Sequence, residues 1–317
     1  MVQPDDTRSA PACVIGLDVG GTKIAGGLVS CDSGQVLSKR VVPTLPERGP
    51  QAVLDDLLEL ARSLLSEARR IDALVGGIGI GVPETVDPEG NVTSSQTLAW
   101  QNIPVQSICS KLAPAIVESD VRAAALGEAL FGAGREYSTF AYVTVGTGIS
   151  SCLVLDGRPF PGARGNALVL ASAPLSTTCN GCGGRMDDVL EEFASGPALV
   201  QRYNQVASGQ VSKAEDVLEA AAGGNRVADR VVESAAAALG NSVGFLVNVL
   251  DPEAVIVGGG LGVAGGSYWK QFVESTRQHV WAKETRELPI CRAQLGADSG
   301  LVGAAAAAIR KANREAA

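Results

Sequence analysis

The sequence predicts an α/β fold built from two domains of similar plan. A length of 317 residues is sufficient for two domains that each bury a core. Apolar, strand-like segments run into glycine clusters three times, and segments with helical periodicity lie between them. The clusters are at residues 20–21, 146–148 and 258–260. Their comparable intervals along the chain indicate two related half-domains.

The first predicted element is a β-hairpin over residues 14–29. An apolar run reaches Asp18, passes through two glycines and continues as a second apolar run. Glycines let the backbone approach a ligand closely, so the turn and its neighbours can face a phosphate. Asp18, at the end of the first strand, is placed to hold a hydrated Mg²⁺. The candidate nucleotide-binding residues of this turn are Gly20, Gly21, Thr22 and Lys23.

Two familiar phosphate-binding loops do not fit this hairpin. A Walker A loop has lysine before serine or threonine, whereas Thr22 precedes Lys23 here. A dinucleotide-binding loop opens a helix, whereas residues 24–29 read as a strand. A glycine-rich hairpin that binds no ligand is the alternative interpretation.

The next elements alternate between strands and one long helix. The pattern predicts a strand at 36–42, a loop at 43–50, an amphipathic helix at 51–73, a strand at 75–82 and a polar loop at 87–100. Such a loop is typical of a ligand-binding cleft.

A short strand at 115–117 then leads through Ser119 and Asp120 into an alanine-rich helix at 121–132. A carboxylate at this position has two interpretations. It can cap the helix by accepting from free backbone N–H groups. Alternatively, it can act as a catalytic base, because α/β proteins bind ligands where strands end.

The second half of the chain repeats the strand and glycine pattern and is richer in helices. Strands are predicted at 140–145, 149–155 and 254–257. Helices are predicted at 191–203, 213–222, 226–250, 267–283 and 301–313.

Composition and charge exclude several classes of protein. The hydrophobic content of 46% is that of a globular chain, and the net charge of −8 argues against a nucleic-acid partner. No apolar run is long enough to cross a membrane, and the first dozen residues lack the apolar core of a signal peptide. Seven scattered cysteines are typical of a reducing compartment. We therefore expect a cytoplasmic protein without a membrane or nucleic-acid partner.

The chain contains one histidine, His279, within a predicted helix. Mechanisms that need a serine–histidine–aspartate triad or several histidine ligands are therefore disfavoured. His279 itself is expected to be a surface helix residue.

Several short motifs, in this order and spacing, together resemble a known family. They lie at 17–23, 79–83, 120–128, 146–149, 155–157, 191–196, 257–260 and 300–304. On these motifs the chain is identified as a member of the ROK family, which contains sugar kinases and sugar-responsive repressors. The resemblance spans nearly all of residues 14–312. It implies a two-domain, actin-like ATPase (ribonuclease H-like) fold with mixed sheets, flanking helices and a ligand cleft between the domains.

The resemblance implies an ATP-dependent kinase that acts on a primary hydroxyl of a hexose-like sugar. Asp120 would be the general base, and Asp18 would bind Mg²⁺ through water. The implied nucleotide-binding residues are Asp18, Gly20, Gly21, Thr22, Lys23, Gly146, Thr147, Gly148, Gly259 and Gly260.

The resemblance also implies a domain division and an assembly. We expect a disordered lead at 1–12, an N-terminal α/β domain at 13–120 and a C-terminal α/β domain at 121–300. The helix at 301–314 would pack back on the first domain. The family further suggests a homodimer.

The sequence departs from the family pattern on the sugar side. Ser119 stands where the family usually has asparagine, and residues 168–172 lack the glutamate and histidine that contact sugar. Of the family's cysteine and histidine zinc ligands, only Cys179 and Cys182 remain. Two thiolates do not complete a tetrahedral site, so we expect no zinc of the family type.

The candidate substrate-binding residues are Glu84, Ser119, Asp120, Asn166 and Glu191. Glu191 matches a family sugar contact, and Glu84 would suit a substrate ammonium group. Deleted hydroxyl-binding partners would weaken glucose binding. An amino-hexose such as kanosamine is therefore the favoured substrate.

Three other functions remain open or are disfavoured. An ordinary glucokinase and a catalytically weak sugar or nucleotide sensor derived from a kinase are the open alternatives. A repressor is disfavoured, because the hairpin begins at Val14 and leaves no room for an N-terminal DNA-binding domain.

Overall fold

The computed structural model describes residues 12–178, 185–207 and 209–315, which form two compact units. Unit 1 combines the chain through Phe131 with Pro161–Asn166 and the segment that begins at Ala297. Unit 2 combines Gly132–Phe160 with Ala167–Gly296.

These limits differ from the predicted division at several places, including Pro161–Asn166, which falls within the predicted second domain. The first unit continues to Phe131 rather than ending at Asp120, because the helix that begins at Asp120 packs against elements of unit 1. Of the predicted disordered lead, residues 1–11 lie outside the described residues. Ala12 belongs to a strand and pairs with Leu74.

The strands and helices include those that the periodicity predicts and several short ones that it does not. The strands are Ala12–Val19 (β1), Lys23–Ser30 (β2), Val36–Pro43 (β3), Leu74–Val82 (β4), Ala115–Ser119 (β5), Phe140–Val145 (β6), Ile149–Leu155 (β7), Arg158–Pro159 (β8), Pro174–Thr178 (β9), Arg185–Val189 (β10), Ala254–Gly258 (β11) and Ile290–Arg292 (β12). The helices are Pro50–Arg70 (α1), Val105–Cys109 (α2), Asp120–Phe131 (α3), Leu190–Ala194 (α4), Gly196–Val206 (α5), Ala214–Ala222 (α6), Arg226–Leu250 (α7), Gly266–His279 (α8) and Ser299–Glu315 (α9).

Unit 1 is built on a mixed sheet with the strand order β3-β2-β1-β4-β5. β1, β2 and β3 are antiparallel neighbours, whereas β1, β4 and β5 are parallel. Helix α1 buries the apolar stripe that contains Val53, Leu57 and Leu64 in the core of this unit. Burial of such a stripe is the main source of stability for a surface helix.

Helix α9 approaches the same sheet closely because the facing strand positions are glycines. A Cβ on Gly79 would lie 1.7 Å from the Ala304 carbonyl oxygen, and one on Gly16 would lie 2.2 Å from that of Leu301. Neither distance permits a side chain. The glycines that interrupt the apolar runs of β1 and β4 therefore make room for a helix.

Unit 2 repeats the topology of unit 1. Its main sheet has the order β12-β11-β6-β7-β8, in which the β6–β7 hairpin is antiparallel and β6, β11 and β12 are parallel. The long helix α7 buries Val232, Leu239 and Val243 in the core beside these strands. The prediction of two related half-domains with mixed sheets is confirmed.

The structure corrects two predicted elements and adds a small sheet. The single helix at 191–203 is two helices, because Ser195 is extended and its side chain accepts the Ala198 N–H (3.4 Å) at the start of α5. Helix α8 ends at His279, four residues before the predicted limit of Lys283, because Val280 is extended. The two-stranded β9–β10 sheet was not predicted.

Within the described residues, no helix combines the length and the apolar character needed to cross a membrane.

Candidate functional site

The carboxyl ends of three parallel strands meet at one edge of the unit 1 sheet. Asp18 in β1 pairs with Gly81 in β4, and Val82 pairs with Ser119 in β5. The topology thus brings the predicted acidic residues, which are far apart in sequence, to the same edge. In open α/β sheets, this edge is where ligands bind.

Asp120 is the first residue of α3 and remains accessible to solvent. Its Oδ1 accepts the Val121 N–H at 2.6 Å. Capping side chains bind the second or third N–H group of the helix, so this contact differs from a typical cap. The accessible carboxylate is compatible with the interpretation of Asp120 as a base, and this role stays a prediction.

The pKa of the Asp120 carboxyl is raised to about 6. The largest cause is the surrounding protein, which displaces water, and the charges of Asp18 and Glu84 raise the pKa further. The Val121 hydrogen bond and the Arg122 charge oppose the rise. A carboxylate with a pKa near neutrality is a stronger base than an ordinary aspartate.

Asp18 lies against the start of α9. A Cβ on Gly300 would lie 2.4 Å from Asp18 Oδ2, so the glycine permits this contact. Burial raises the pKa of Asp18, and the charges of Lys23 and Lys39 counteract the rise. The N-terminus of a helix stabilises a nearby negative charge, but burial is the larger effect, and the pKa of Asp18 stays above its ordinary value.

Hydrogen bonds hold the backbone of the β1–β2 turn, and the side chains at its tip are exposed. The Gly20 N–H donates to the Lys23 carbonyl at 2.9 Å, and the Thr44 hydroxyl donates to the Gly20 carbonyl at 2.6 Å. The side chains of Thr22 and Lys23 are exposed. Thr97 packs close to Gly21, where a Cβ would lie 3.0 Å from the threonine methyl carbon. The turn therefore presents the predicted phosphate-binding groups on a fixed backbone.

Glu84 has a different environment from the one that the sequence predicts. Its side chain is buried, and its carboxylate accepts hydrogen bonds from one hydroxyl and three backbone N–H groups. The donors are Ser94 Oγ, Gln96 N at 2.9 Å, Thr97 N at 2.6 Å and Leu98 N at 2.7 Å. Burial opposes ionisation, but these bonds outweigh it and lower the pKa of Glu84. Because these acceptor positions are used within the loop, Glu84 has a structural role there, and its predicted contact with a substrate ammonium stays a prediction.

Ser119 and Asn166 lie near this edge with different exposures. Ser119 is buried, and within the described chain its hydroxyl has no hydrogen-bond partner. Asn166 is exposed at the end of the Pro161–Asn166 segment of unit 1. Their predicted contacts with a sugar stay predictions.

Arg122 is a buried residue of this region that sequence reasoning missed. Its guanidinium pairs with Glu118 at 2.5 Å and donates to the carbonyl oxygens of Gly165 and Val86. Its position two residues after Asp120, within a run of buried alanines, was the available signal.

Unit 2 presents a glycine-lined site at the equivalent edge of its own sheet. The Gly146 N–H donates to the Gly148 carbonyl at 2.9 Å and closes the β6–β7 turn. Gly259 has a φ of 79°, and a Cβ there would lie 2.3 Å from the Val145 carbonyl oxygen. The two predicted glycine clusters therefore meet beside the ends of β6 and β11.

A cavity of about 530 Å³ opens beside these glycines. It is lined by Gly146, Thr147, Gly196, Pro197, Val200, Gln201, Ser212, Lys213, Ala214, Glu215, Gly260 and Leu261. Its volume suits a nucleoside-sized ligand, and its glycines admit phosphates to the backbone. The residues from α5 and the start of α6 were missed, because they carry no phosphate-binding motif.

Glu191 contacts the glycine turn of unit 2. Its Oε2 accepts the Ile149 N–H at 2.7 Å, and a Cβ on Gly148 would lie 2.7 Å from the same oxygen. The predicted contact between Glu191 and a sugar stays a prediction.

The described residues contain no group of three or more histidine, cysteine, aspartate or glutamate side chains arranged around a metal ion. Cys179 and Cys182 lie outside those residues. The expectation of no family-type zinc therefore stays a prediction.

Comparison with protein families matches residues 14–311 to the ROK family. The glucokinase of Thermotoga maritima is 32% identical over 319 residues, which cover 92% of this chain and 96% of the relative. The match therefore includes nearly all of both sequences.

Solved structures give the same result. A ROK hexokinase from Thermus thermophilus aligns with a TM-score of 0.80 and 32% identity over 95% of this chain and 99% of that chain. A ROK family glucokinase from Streptomyces griseus, in complex with glucose and AMPPNP, aligns with a TM-score of 0.76 and 30% identity over 92% of this chain and 98% of that chain. The predicted fold is confirmed.

Proposed function

The chain belongs to the ROK family, and from this premise we propose that it transfers the γ-phosphoryl group of ATP to the 6-hydroxyl of a hexose or amino-hexose. Its relatives support the activity of an ATP-dependent sugar kinase. The observation that carries the proposed mechanism is the accessible Asp120 carboxylate, with a pKa of about 6, at the carboxyl edge of the unit 1 sheet.

In the proposed reaction, the hydroxyl oxygen of the sugar forms a bond to the γ-phosphorus as the bond to the β-phosphate oxygen breaks. Asp120 accepts the hydroxyl proton, and ADP leaves with the electron pair of the broken bond. Phosphoryl transfer depends mainly on positioning and charge neutralisation. The modest basicity of a carboxylate is therefore sufficient.

The nucleotide is proposed to occupy the unit 2 cavity, with its phosphates on the glycine turns. Asp18 and the exposed Thr22 and Lys23 are proposed to contact Mg²⁺, through water, and the phosphates. Mg²⁺, when bound, supplies positive charge that neutralises the phosphate oxygens. The Asp18 carboxylate, at the carboxyl edge of the unit 1 sheet, fits this role, because Mg²⁺ prefers oxygen ligands and retains water.

The sugar is proposed to be a modified hexose, with the amino-hexose kanosamine as a candidate. Val169 is 54% exposed at a position where the family has a sugar-binding glutamate. The Ser119 hydroxyl, which has no partner among the described residues, and the exposed Asn166 are candidate replacement donors. Because Glu84 is engaged within its loop, the amino group would need another partner.

ADP release with Mg·ATP tests this proposal against glucose, mannose, allose, glucosamine, N-acetylglucosamine, N-acetylmannosamine and kanosamine. Turnover with an amino-hexose and weak turnover with glucose would support it. Strong turnover with glucose would support an ordinary glucokinase. Binding of ATP without turnover on any sugar would contradict the kinase and favour a sensor. The homodimer and the cytoplasmic location stay predictions.

A further inference from the structure

We propose that Arg122 is a positioning residue that joins two loops of unit 1 to the start of the helix that carries Asp120. One loop comprises residues 84–98, and the other comprises Pro161–Asn166. We call the contacts that Arg122 makes among these segments the junction, and they do not depend on the proposed function. Their expected effect on sugar binding does depend on it.

The guanidinium group contacts three separate segments through its nitrogen atoms. Nε donates to Glu118 Oε1 at 2.6 Å, which connects α3 to the end of β5. Nη1 donates to the Gly165 carbonyl at 2.8 Å, and Nη2 donates to the Val86 carbonyl at 2.6 Å. The planar fork of arginine suits this arrangement, whereas lysine has a single ammonium group.

Burial makes these contacts consequential for stability. Arg122 is 5% exposed, so its charge is largely removed from water. Glu118 neutralises this charge, and the Gly165 and Val86 carbonyls accept hydrogen bonds from guanidinium N–H groups that would otherwise be unsatisfied. Replacing the guanidinium with an uncharged group would leave the Glu118 charge and both carbonyls without their partner.

The backbone of Gly165 supports the same junction independently. Gly165 has a φ of 81°, and a Cβ at this position would lie 2.0 Å from the Val86 carbonyl oxygen. The two loops therefore lie in direct backbone contact, with Arg122 donating to a carbonyl of each. A side chain at 165 would separate them without altering the arginine.

The junction connects the catalytic region with the candidate sugar-binding loops. The 84–98 loop is held internally by Glu84, and its Thr97 packs beside Gly21 of the hairpin turn. The other loop carries Asn166 directly after Gly165. Loss of the junction would displace these groups relative to Asp120 and would weaken sugar binding while leaving the nucleotide site of unit 2 intact.

Steady-state kinetics of Arg122→Lys, Arg122→Gln and Gly165→Ala would test this role. We expect each variant to raise the KM for the sugar by about tenfold to a hundredfold, the effect of misplacing a substrate by about 1 Å. The KM for ATP should stay within about twofold of wild type. Arg40→Gln is the control, because Arg40 of β3 pairs with Glu67 of α1, outside the site.

Hydrogen exchange without any ligand separates this inference from the proposed function. We expect Arg122→Gln to increase amide exchange in both 84–98 and 161–166, while Arg40→Gln does not. If the wild type phosphorylates no sugar, the proposed function fails, and the exchange result still decides whether the junction exists. Unchanged exchange in both loops, or equal increases in the KM for sugar and for ATP, would overturn the proposal. If Arg122→Gln does not fold, Arg122→Lys and Gly165→Ala provide the same tests.

Discussion

The two units have the same sheet topology but present different chemistry at equivalent edges. In unit 1, the ends of the parallel strands bring together Asp18 and Asp120, and the charge of Asp18 raises the pKa of Asp120. In unit 2, the corresponding edge carries glycines beside a cavity of about 530 Å³. The shared topology gives each unit one sheet edge that can bind a ligand. The residues at that edge determine whether it supplies reactive groups, as in unit 1, or room for phosphates, as in unit 2.

A large expected effect on ATP binding, which separates the two edges, comes from Gly259→Ala in unit 2. The alanine Cβ would meet the Val145 backbone, and the positive φ adds strain. We expect the Kd for ATP, measured by calorimetry, to rise at least tenfold, because strain and steric shifts of 1–3 kcal/mol correspond to roughly that factor.

Gly157→Ala is the matched control for Gly259→Ala. Gly157 also has a positive φ, but a Cβ there would have no heavy atom within 4 Å among the described surroundings. Its backbone strain is therefore similar, without the clash. Equal losses of ATP binding in both variants would contradict the assignment of Gly259 to the nucleotide site.

The pH dependence of kcat/KM sharpens the assignment of chemistry to unit 1. The raised pKa means that Asp120 gains a proton as the pH falls through about 6. A protonated carboxyl cannot accept the hydroxyl proton, so activity should fall about tenfold per pH unit below this value. We expect this acidic limb in a profile measured from pH 5 to 8. A flat profile over that range would contradict the assignment.

Glu84→Gln should have a smaller effect than either change above. An amide can retain acceptor contacts through one oxygen but lacks the second, so the 84–98 loop should loosen. We expect the KM to rise severalfold for glucose and amino-hexoses alike, because each lost hydrogen bond costs about 1 kcal/mol.

Asp87→Asn in the same loop is the control, since Asp87 accepts from Glu89 and Asn91 of a local turn. Its effect on the KM should be within about twofold. If Glu84→Gln raised the KM for amino-hexoses alone, the result would support the contact with a substrate ammonium group that the sequence predicts for Glu84.

The sequence predicts the strands of both sheets because apolar runs and glycine turns are local signals. It also predicts that Asp18 and Asp120 belong to the ligand edge, since both follow the ends of strands. The partners of Glu84 lie in a polar loop at Ser94–Leu98, and no periodicity predicts the path of that loop. Loop conformation depends on tertiary contacts that local patterns do not encode.

Arg122 and the break between α4 and α5 illustrate two different limits of prediction from the sequence. Arg122 is charged and occurs in a helix, and two of its three partners, the Gly165 and Val86 carbonyls, are distant in sequence and visible only in the fold. The helix break, in contrast, has a local signal in Ser195 followed by Gly196 and Pro197. Serine at a helix start and proline in the first turn are standard helix-initiation residues.

The most direct test of the account measures phosphoryl transfer and ATP binding together in Asp120→Asn. Asparagine has nearly the same shape as aspartate but cannot accept the proton. We expect kcat with the best sugar to fall by about 10²–10⁴, the range for loss of a general base, while the Kd for ATP stays within about twofold. Retained turnover would contradict the assignment of Asp120 as the base, and a parallel loss of ATP binding would contradict the division of roles between the two edges.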